Sequence, residues 1–233
     1  MYGRFYKYLK KSMKKIICIS LFFYSIYHYI LFFSWYLSHD QKIIEEALNL
    51  SLLASLPLFI MIFITHTFFY PKNNNDHAKV ITFPPMIMLF SSNLAFLIGA
   101  LNQYYFQLYR LPNILDFLRN PTIGLIFIII SLIIIHLAIK EFNDIKEDPM
   151  PTTSSKNLIK NKIYTWTRNP MYLGLIIFQV GLGFAVSYLH ISIFGLFTFI
   201  VYHYFVVKRE EVYLEEKFGK DYLLYKKNVR RWL

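Results

Sequence analysis

Cysteine is nearly absent. Cys18 is the single one in 233 residues, which excludes disulfides and any cysteine-built metal centre. The seven histidines never fall at His-x-x-x-His or His-Glu-x-x-His spacing, so no metal is expected. The eight glycines never form Gly-x-Gly-x-x-Gly after a strand, which removes the nucleotide-binding fold of soluble α/β enzymes; Gly181-Leu-Gly183 sits inside an apolar run. Charge is scarce as well, at 17% of residues against about 25% in soluble domains.

What replaces charge is apolar sequence, 56% of the chain, arranged in long uninterrupted blocks. Crossing a bilayer as helix takes roughly 20 such residues. Six blocks approach that length: about 16–37, 48–70, 84–106, 122–139, 171–188 and 191–207. The first, Ile16 to Leu37, is longer than the roughly 7–15 apolar residues of a secretory signal and lacks a small-x-small cleavage site, so it reads as a retained anchor. The expected fold is an all-α integral membrane protein of about six transmembrane helices, closing in a C-terminal helical hairpin and a cytoplasmic tail helix.

The basic residues test that count. Segments 1–15, 71–83, 140–170 and 208–233 hold 22 of the 25 Lys/Arg, leaving Lys42, Arg110 and Arg119 for the other side. This bias predicts a multi-pass protein with both termini cytoplasmic. The net charge of +11 therefore speaks for anionic lipid headgroups. No segment outside the blocks is long enough to fold into a nucleic-acid-binding domain.

The chain reads as two parts, a transmembrane scaffold of four spans over 1–139 and a more polar core over 140–233. In the scaffold, Lys72–Asp76 and Pro84-Pro85 are turn punctuation. Asn93, His136 and His203 are polar groups in apolar blocks, each a functional candidate by default, though a hydrogen bond between helices is the simpler account. In the core, 140–157 reads as an irregular cytoplasmic loop and Leu158–Trp166 as a segment against the membrane face. Asn169-Pro170 is a helix start, with Asn as N-cap and Pro at the first position. A short turn near Tyr188–Ser192 forces the last two blocks into an antiparallel hairpin. Gly174, Gly181 and Gly183 would let its helices approach closely, and Gly219 would end the helix that follows.

The hairpin returns two polar ends to one surface: Lys162-Ile-Tyr-Thr-Trp-Thr-Arg-Asn-Pro-Met-Tyr-Leu-Gly174 and Lys208-Arg-Glu-Glu211, the latter followed by Phe218-Gly-Lys-Asp-Tyr-Leu-Leu-Tyr225. A tyrosine, then Arg-(His or Asn)-Pro-x-Tyr-x-Gly, an apolar hairpin, a Glu-Glu pair and Phe-Gly-x-x-Tyr-x-x-Tyr, in that order, resemble the integral-membrane methyltransferases. That family holds the isoprenylcysteine carboxyl methyltransferases and the phospholipid methyltransferases. The resemblance covers roughly 140–233.

The resemblance implies S-adenosylmethionine as cofactor, bound by Leu158, Ile159, Tyr164, Asn169, Pro170, Met171, Tyr172, Glu210 and Glu211, with Glu211 holding it from the sixth helix. It names no catalytic residue. It further implies a lipid or lipid-like substrate entering from the bilayer, with isoprenylcysteine-type carboxylate O-methylation favoured. The chemistry is consistent: carboxylates bind a ribose diol or an ammonium, and aromatic faces attract a sulfonium. Glu210 and Glu211 lie about 100° apart on a helix, so one is expected to turn to Lys208, Arg209 or water. Three positions depart from the pattern: Asn169 stands for the common His, Val206 for a substrate-binding Arg, and Arg230 for a Pro. Two other classes stay open, an NADPH-dependent membrane sterol or steroid reductase and a non-catalytic membrane protein.

Overall fold

The computed structural model describes residues 2–38, 44–71 and 76–233, with side chains from Lys11 onward except Ile44. Lys42 and the asparagines of the 72–76 turn lie outside the described residues. Among the described residues every regular element is helical: α1 (Tyr2–Ser38), α2 (Ile44–Phe69), α3 (Pro84–Leu101), α4 (Pro121–Asp144), α5 (Pro170–Ala185), α6 (Leu189–Tyr202), α7 (Lys208–Phe218) and α8 (Lys220–Asn228). Wide π turns, Asn102–Phe106 and His203–Val207, follow α3 and α6.

Among the described residues five helices are long and apolar enough to cross a membrane: Lys11–Ser38, Glu45–Phe69, Pro84–Phe106, Pro121–Asp144 and Leu189–Phe218. The chain is an all-helical membrane protein. The block expected as the fifth span is the 16-residue α5, about 24 Å at 1.5 Å per residue and short of a hydrocarbon core of about 30 Å.

By internal contacts the chain divides into two compact units, Met1–Tyr70 with Asn93–Ile114, and Pro71–Ser92 with Leu115–Leu233. In the first, α1 packs along α2 around Phe32, Ala54 and Phe96, all fully buried. The rings of Phe32 and Phe96 meet edge to face at 4.6 Å. Asn93 takes the simpler of its two roles: it accepts from the Tyr29 hydroxyl and donates to the Ser55 carbonyl at 3.0 Å, tying three helices together.

In the second unit α4, α5 and α6 pack closely because glycines remove side chains where backbones meet. A Cβ on Gly181 would lie 3.0 Å from the Gly124 carbonyl of α4, and one on Gly183 would lie 2.6 Å from the Ser192 backbone nitrogen of α6. The hairpin turn is only Val186–Tyr188, with Ser187 in the left-handed region at φ 56°. Between these helices Gln179, fully buried, donates to Ser91 Oγ at 3.1 Å and the Ile191 carbonyl at 3.2 Å, and accepts from Thr198 at 2.6 Å. Every polar end of that amide is used, as an apolar surround demands.

Two local expectations need correction. Helix α4 continues through Asp144, so the irregular loop begins at Ile145 and not at Lys140; Glu141 and Asp144 both reach Lys162, which favours one more helical turn. The Asn169 side chain does not cap α5. It donates instead to the Arg231 carbonyl at 2.9 Å.

Candidate functional site

The loop after α4 is drawn back across the unit by charge. Lys162 lies 2.7 Å from Glu141 and 3.2 Å from Asp144, and these two carboxylates hold its ammonium above the ordinary lysine range. They also fix it in the left-handed region, at φ 48°, a conformation that side chains larger than glycine rarely adopt. The short 3₁₀ turn Lys162–Thr165 then sets Tyr164 inward, 6% exposed, its ring 6.0 Å from that of Phe142. Pro170 starts α5 at its first position and brings Tyr172 to the same space.

The other wall comes from α7 and α8. The π turn His203–Val207 adds a residue to the ladder before α7, so the direction of Glu210 and Glu211 does not follow from the periodicity of α6. Gly219, at φ 53°, breaks α7 from α8 and lets Tyr222 and Tyr225 turn back inward. The Tyr225 hydroxyl donates to the Tyr164 carbonyl at 2.7 Å, closing one end of the wall.

Between these walls lies a cleft that opens at its mouth. All nine residues singled out from the sequence line it: Leu158, Ile159, Tyr164, Asn169, Pro170, Met171, Tyr172, Glu210 and Glu211. Their neighbours Phe142, Tyr213, Tyr222 and Tyr225 make it strongly aromatic. The roof is residues 148–158 of the loop, pinned at its edge. Ser155 N–H donates to the Tyr213 hydroxyl at 3.1 Å, and Lys217 Nζ stands 2.7 Å from both Ser154 Oγ and Asp76 Oδ1.

The two acids have different surroundings. Glu210 accepts from the Tyr172 hydroxyl across the cleft. Glu211 is enclosed by cations: Arg168 reaches one oxygen at 2.7 Å, and Arg231 takes both, at 2.9 and 2.6 Å. The expectation that one acid would turn to Lys208, Arg209 or water is therefore corrected. Lys208 lies over the Tyr204 ring and Arg209 bonds the Lys79 carbonyl, while the partners of Glu211 come from the α5 entry and the C-terminal segment. Neither Arg168 nor Arg231 was singled out as a partner of the acids, since such pairings span 43 and 20 residues of chain and leave no periodic trace.

Electrostatically the cleft is acidic. Its charged lining is Asp148, Arg168, Glu210 and Glu211, and the one cation among them is already paired. Burial pushes the Tyr164 hydroxyl above its ordinary range, with the Glu210 carboxylate adding to the shift, and burial does the same to Tyr222 and Tyr225. All three remain neutral phenols. Val206, at the position where the family pattern has a substrate-binding arginine, is fully buried in the π turn and does not line the cleft.

The family model described as phospholipid methyltransferase matches residues 119–221. An uncharacterised protein of Haemophilus influenzae is 42% identical over 67 residues, 27% of this chain and 100% of that protein. The protein-S-isoprenylcysteine O-methyltransferase of Saccharomyces cerevisiae is 34% identical over 74 residues, 31% of this chain and 30% of its own length. No solved structure matches. The family match takes in every residue lining the cleft except Ala78, Tyr222 and Tyr225. The motifs from Tyr164 through Gly219 lie within the matched region, and over residues 119–221 the chain belongs to the integral-membrane methyltransferase family of the phospholipid and isoprenylcysteine carboxyl methyltransferases.

Proposed function

We propose that the protein transfers a methyl group from S-adenosylmethionine to a lipid or lipid-like acceptor, in the cleft between the α5 entry and α7. The observation that carries this reading is the convergence of both motif ends on one aromatic, acidic cavity, with Tyr172 and Glu210 facing each other across it. When bound there, the cofactor supplies an electrophilic methyl group on a positively charged sulfur. The ring faces of Tyr164, Tyr172 and Tyr222 attract such a cation, each by about 0.5–2 kcal/mol depending on desolvation. Glu210 suits an ammonium or a ribose diol, by charge-assisted hydrogen bonds roughly twice as strong as neutral ones. Holding donor and acceptor in line is the protein's main contribution to rate, worth up to about 7–11 kcal/mol in the best intramolecular models.

In this proposal residues 140–233 form the methyl-transfer core and 1–139 the scaffold. The chain crosses the membrane six times, α5 included, with both termini and the cleft on the cytosolic side. The favoured acceptor is a carboxylate of the isoprenylcysteine type, since it needs no proton removed at pH 7 and cancels the sulfonium charge as the bond forms. A second reading, an amine acceptor, is favoured by the acidic lining, where Glu210 rather than a cation meets the incoming group.

Purified protein in detergent is expected to bind S-adenosylmethionine and not NADPH, with binding weakened by Tyr172→Ala, Glu210→Gln and Glu211→Gln. Binding of NADPH instead would make it a reductase; binding of neither would leave no catalytic role. Supplying methyl-labelled cofactor to membranes then separates the acceptors: mild base releases labelled methanol from a methyl ester and leaves a methylated amine intact.

A further inference from the structure

Residues 229–233 do not line the cleft, yet they are bonded to the motif that does. The Arg230 carbonyl accepts the Arg168 N–H at 2.9 Å. The Arg231 carbonyl accepts the Thr167 hydroxyl at 3.1 Å and the Asn169 amide at 2.9 Å. The Arg168 guanidinium donates to the carbonyls of Lys226 and Val229, at 3.0 and 2.5 Å. In return Arg231 grips Glu211 by both oxygens, and Trp232 donates its indole N–H to His203 Nδ1 at 3.1 Å while lying against Phe199.

We propose that this segment is a strap that sets the donor cavity, with Arg231 as its positioning residue; the proposal rests on the methyl-donor reading of that cavity. Neighbouring residues on a helix point about 100° apart, so the anchor on Glu211 decides the rotation of α7 and with it the aim of Glu210 at Tyr172. At the other wall the Asn169 side chain is bound to the strap instead of capping α5, so the strap also places the Asn169-Pro170 corner. Glu211 and Arg168 are only 6% and 7% exposed. Buried charges of this kind hold their geometry only while each has partners, and Arg231 supplies the partner for the second Glu211 oxygen.

The test uses the full chain labelled with 5-fluorotryptophan, whose three resonances report Trp35, Trp166 and Trp232 separately, beside the dissociation constant of S-adenosylmethionine. Arg231→Met is expected to move the Trp232 resonance toward that of the solvent-exposed Trp166 and to weaken donor binding about tenfold or more. Arg231→Lys, which restores charge but not the two-point fork, is expected to recover part of both. A displaced Trp232 with donor affinity within about twofold of wild type would overturn the proposal.

If thermal melts show that Arg231→Met has unfolded, Thr167→Val decides. It removes the hydroxyl bond to the strap, together with the bond that hydroxyl accepts from the Asn169 N–H at 3.3 Å, and no charge. It should shift Trp232 and weaken binding about two- to threefold; weaker binding with Trp232 unmoved, or no change in either, overturns the proposal. Wild-type protein with a docked Trp232 that binds no donor would instead overturn the reading of the cavity.

Discussion

Glu211 and Arg231 meet as a two-point ion pair 20 residues apart in sequence, with both guanidinium contacts under 3.0 Å. Glu211 is 6% exposed and Arg231 27%, and Arg168, at 7%, completes the triad from the opposite wall. Glu211 therefore sets one negative charge between two cations, so its removal leaves both guanidinium groups without a counter-ion, which is worse than the removal of either partner. The hydrogen bonds that Arg231 donates to that carboxylate also hold its guanidinium above its already high ordinary value, so the pair persists at any physiological pH.

Glu211→Gln should destabilise the detergent-solubilised protein by about 3–5 kcal/mol, the usual cost of breaking a buried pair. Arg231→Met should cost less, since Arg168 still faces the carboxylate. The double variant should be more stable than the sum of the two losses predicts. Thermal unfolding of the four proteins measures the coupling; strict additivity would mean that the pair does not act as a unit.

Gly183→Ala should cost about 1–3 kcal/mol and exceed the loss for Gly174→Ala. At 183 the new methyl group meets Ser192 backbone, whereas at 174 it meets first the Ile135 side chain, which can turn away. Thermal melts of both variants set the order, and the reverse order would show that α5 and α6 do not approach as closely as described.

Gln179→Leu should lower stability by about 1–2 kcal/mol, from hydrogen bonds worth about 0.6 kcal/mol on average inside membranes. The Thr198 hydroxyl then loses its acceptor, so Gln179→Leu with Thr198→Val should recover part of the loss. Donor affinity should not change, because Gln179 does not line the cleft.

The edge of the cleft roof should respond to salt and acid. Lys217 and Ser154 hold the Asp76 carboxyl below its ordinary value of 3.8. A depressed carboxyl contributes its tie above that value and loses it as pH falls further, through the folded-state value. Between pH 5 and 8 the protection of residues 148–157 from hydrogen exchange should therefore be flat. It should fall in 1 M salt, where charges are screened within about 3 Å. A change between pH 5 and 8 would mean that another group closes the roof.

Much of the membrane architecture was legible because its signals are local. Uninterrupted apolar blocks, a proline after Asn169 and a glycine after Phe218 report the backbone through composition and allowed torsions. The nine residues carried over from the family resemblance line one cleft because the hairpin is so short that its two ends return to one surface. Length was less legible: α4 gained a turn from ion pairs with Lys162, and α5 proved shorter than its apolar block.

The sequence by itself determined that the chain is helical, apolar enough to cross a bilayer, and polar where the hairpin ends meet. Only tertiary structure decided which acid meets Tyr172 and which the two arginines, since the π turn resets the rotation of α7 and the partners of Glu211 lie 43 and 20 residues away. The same holds for Asn169, whose amide serves a carbonyl 62 residues on, and for Gln179, satisfied by α3 and α6 together. Composition and period record which way a backbone turns. They do not record which side chain from a distant segment arrives to complete a buried charge.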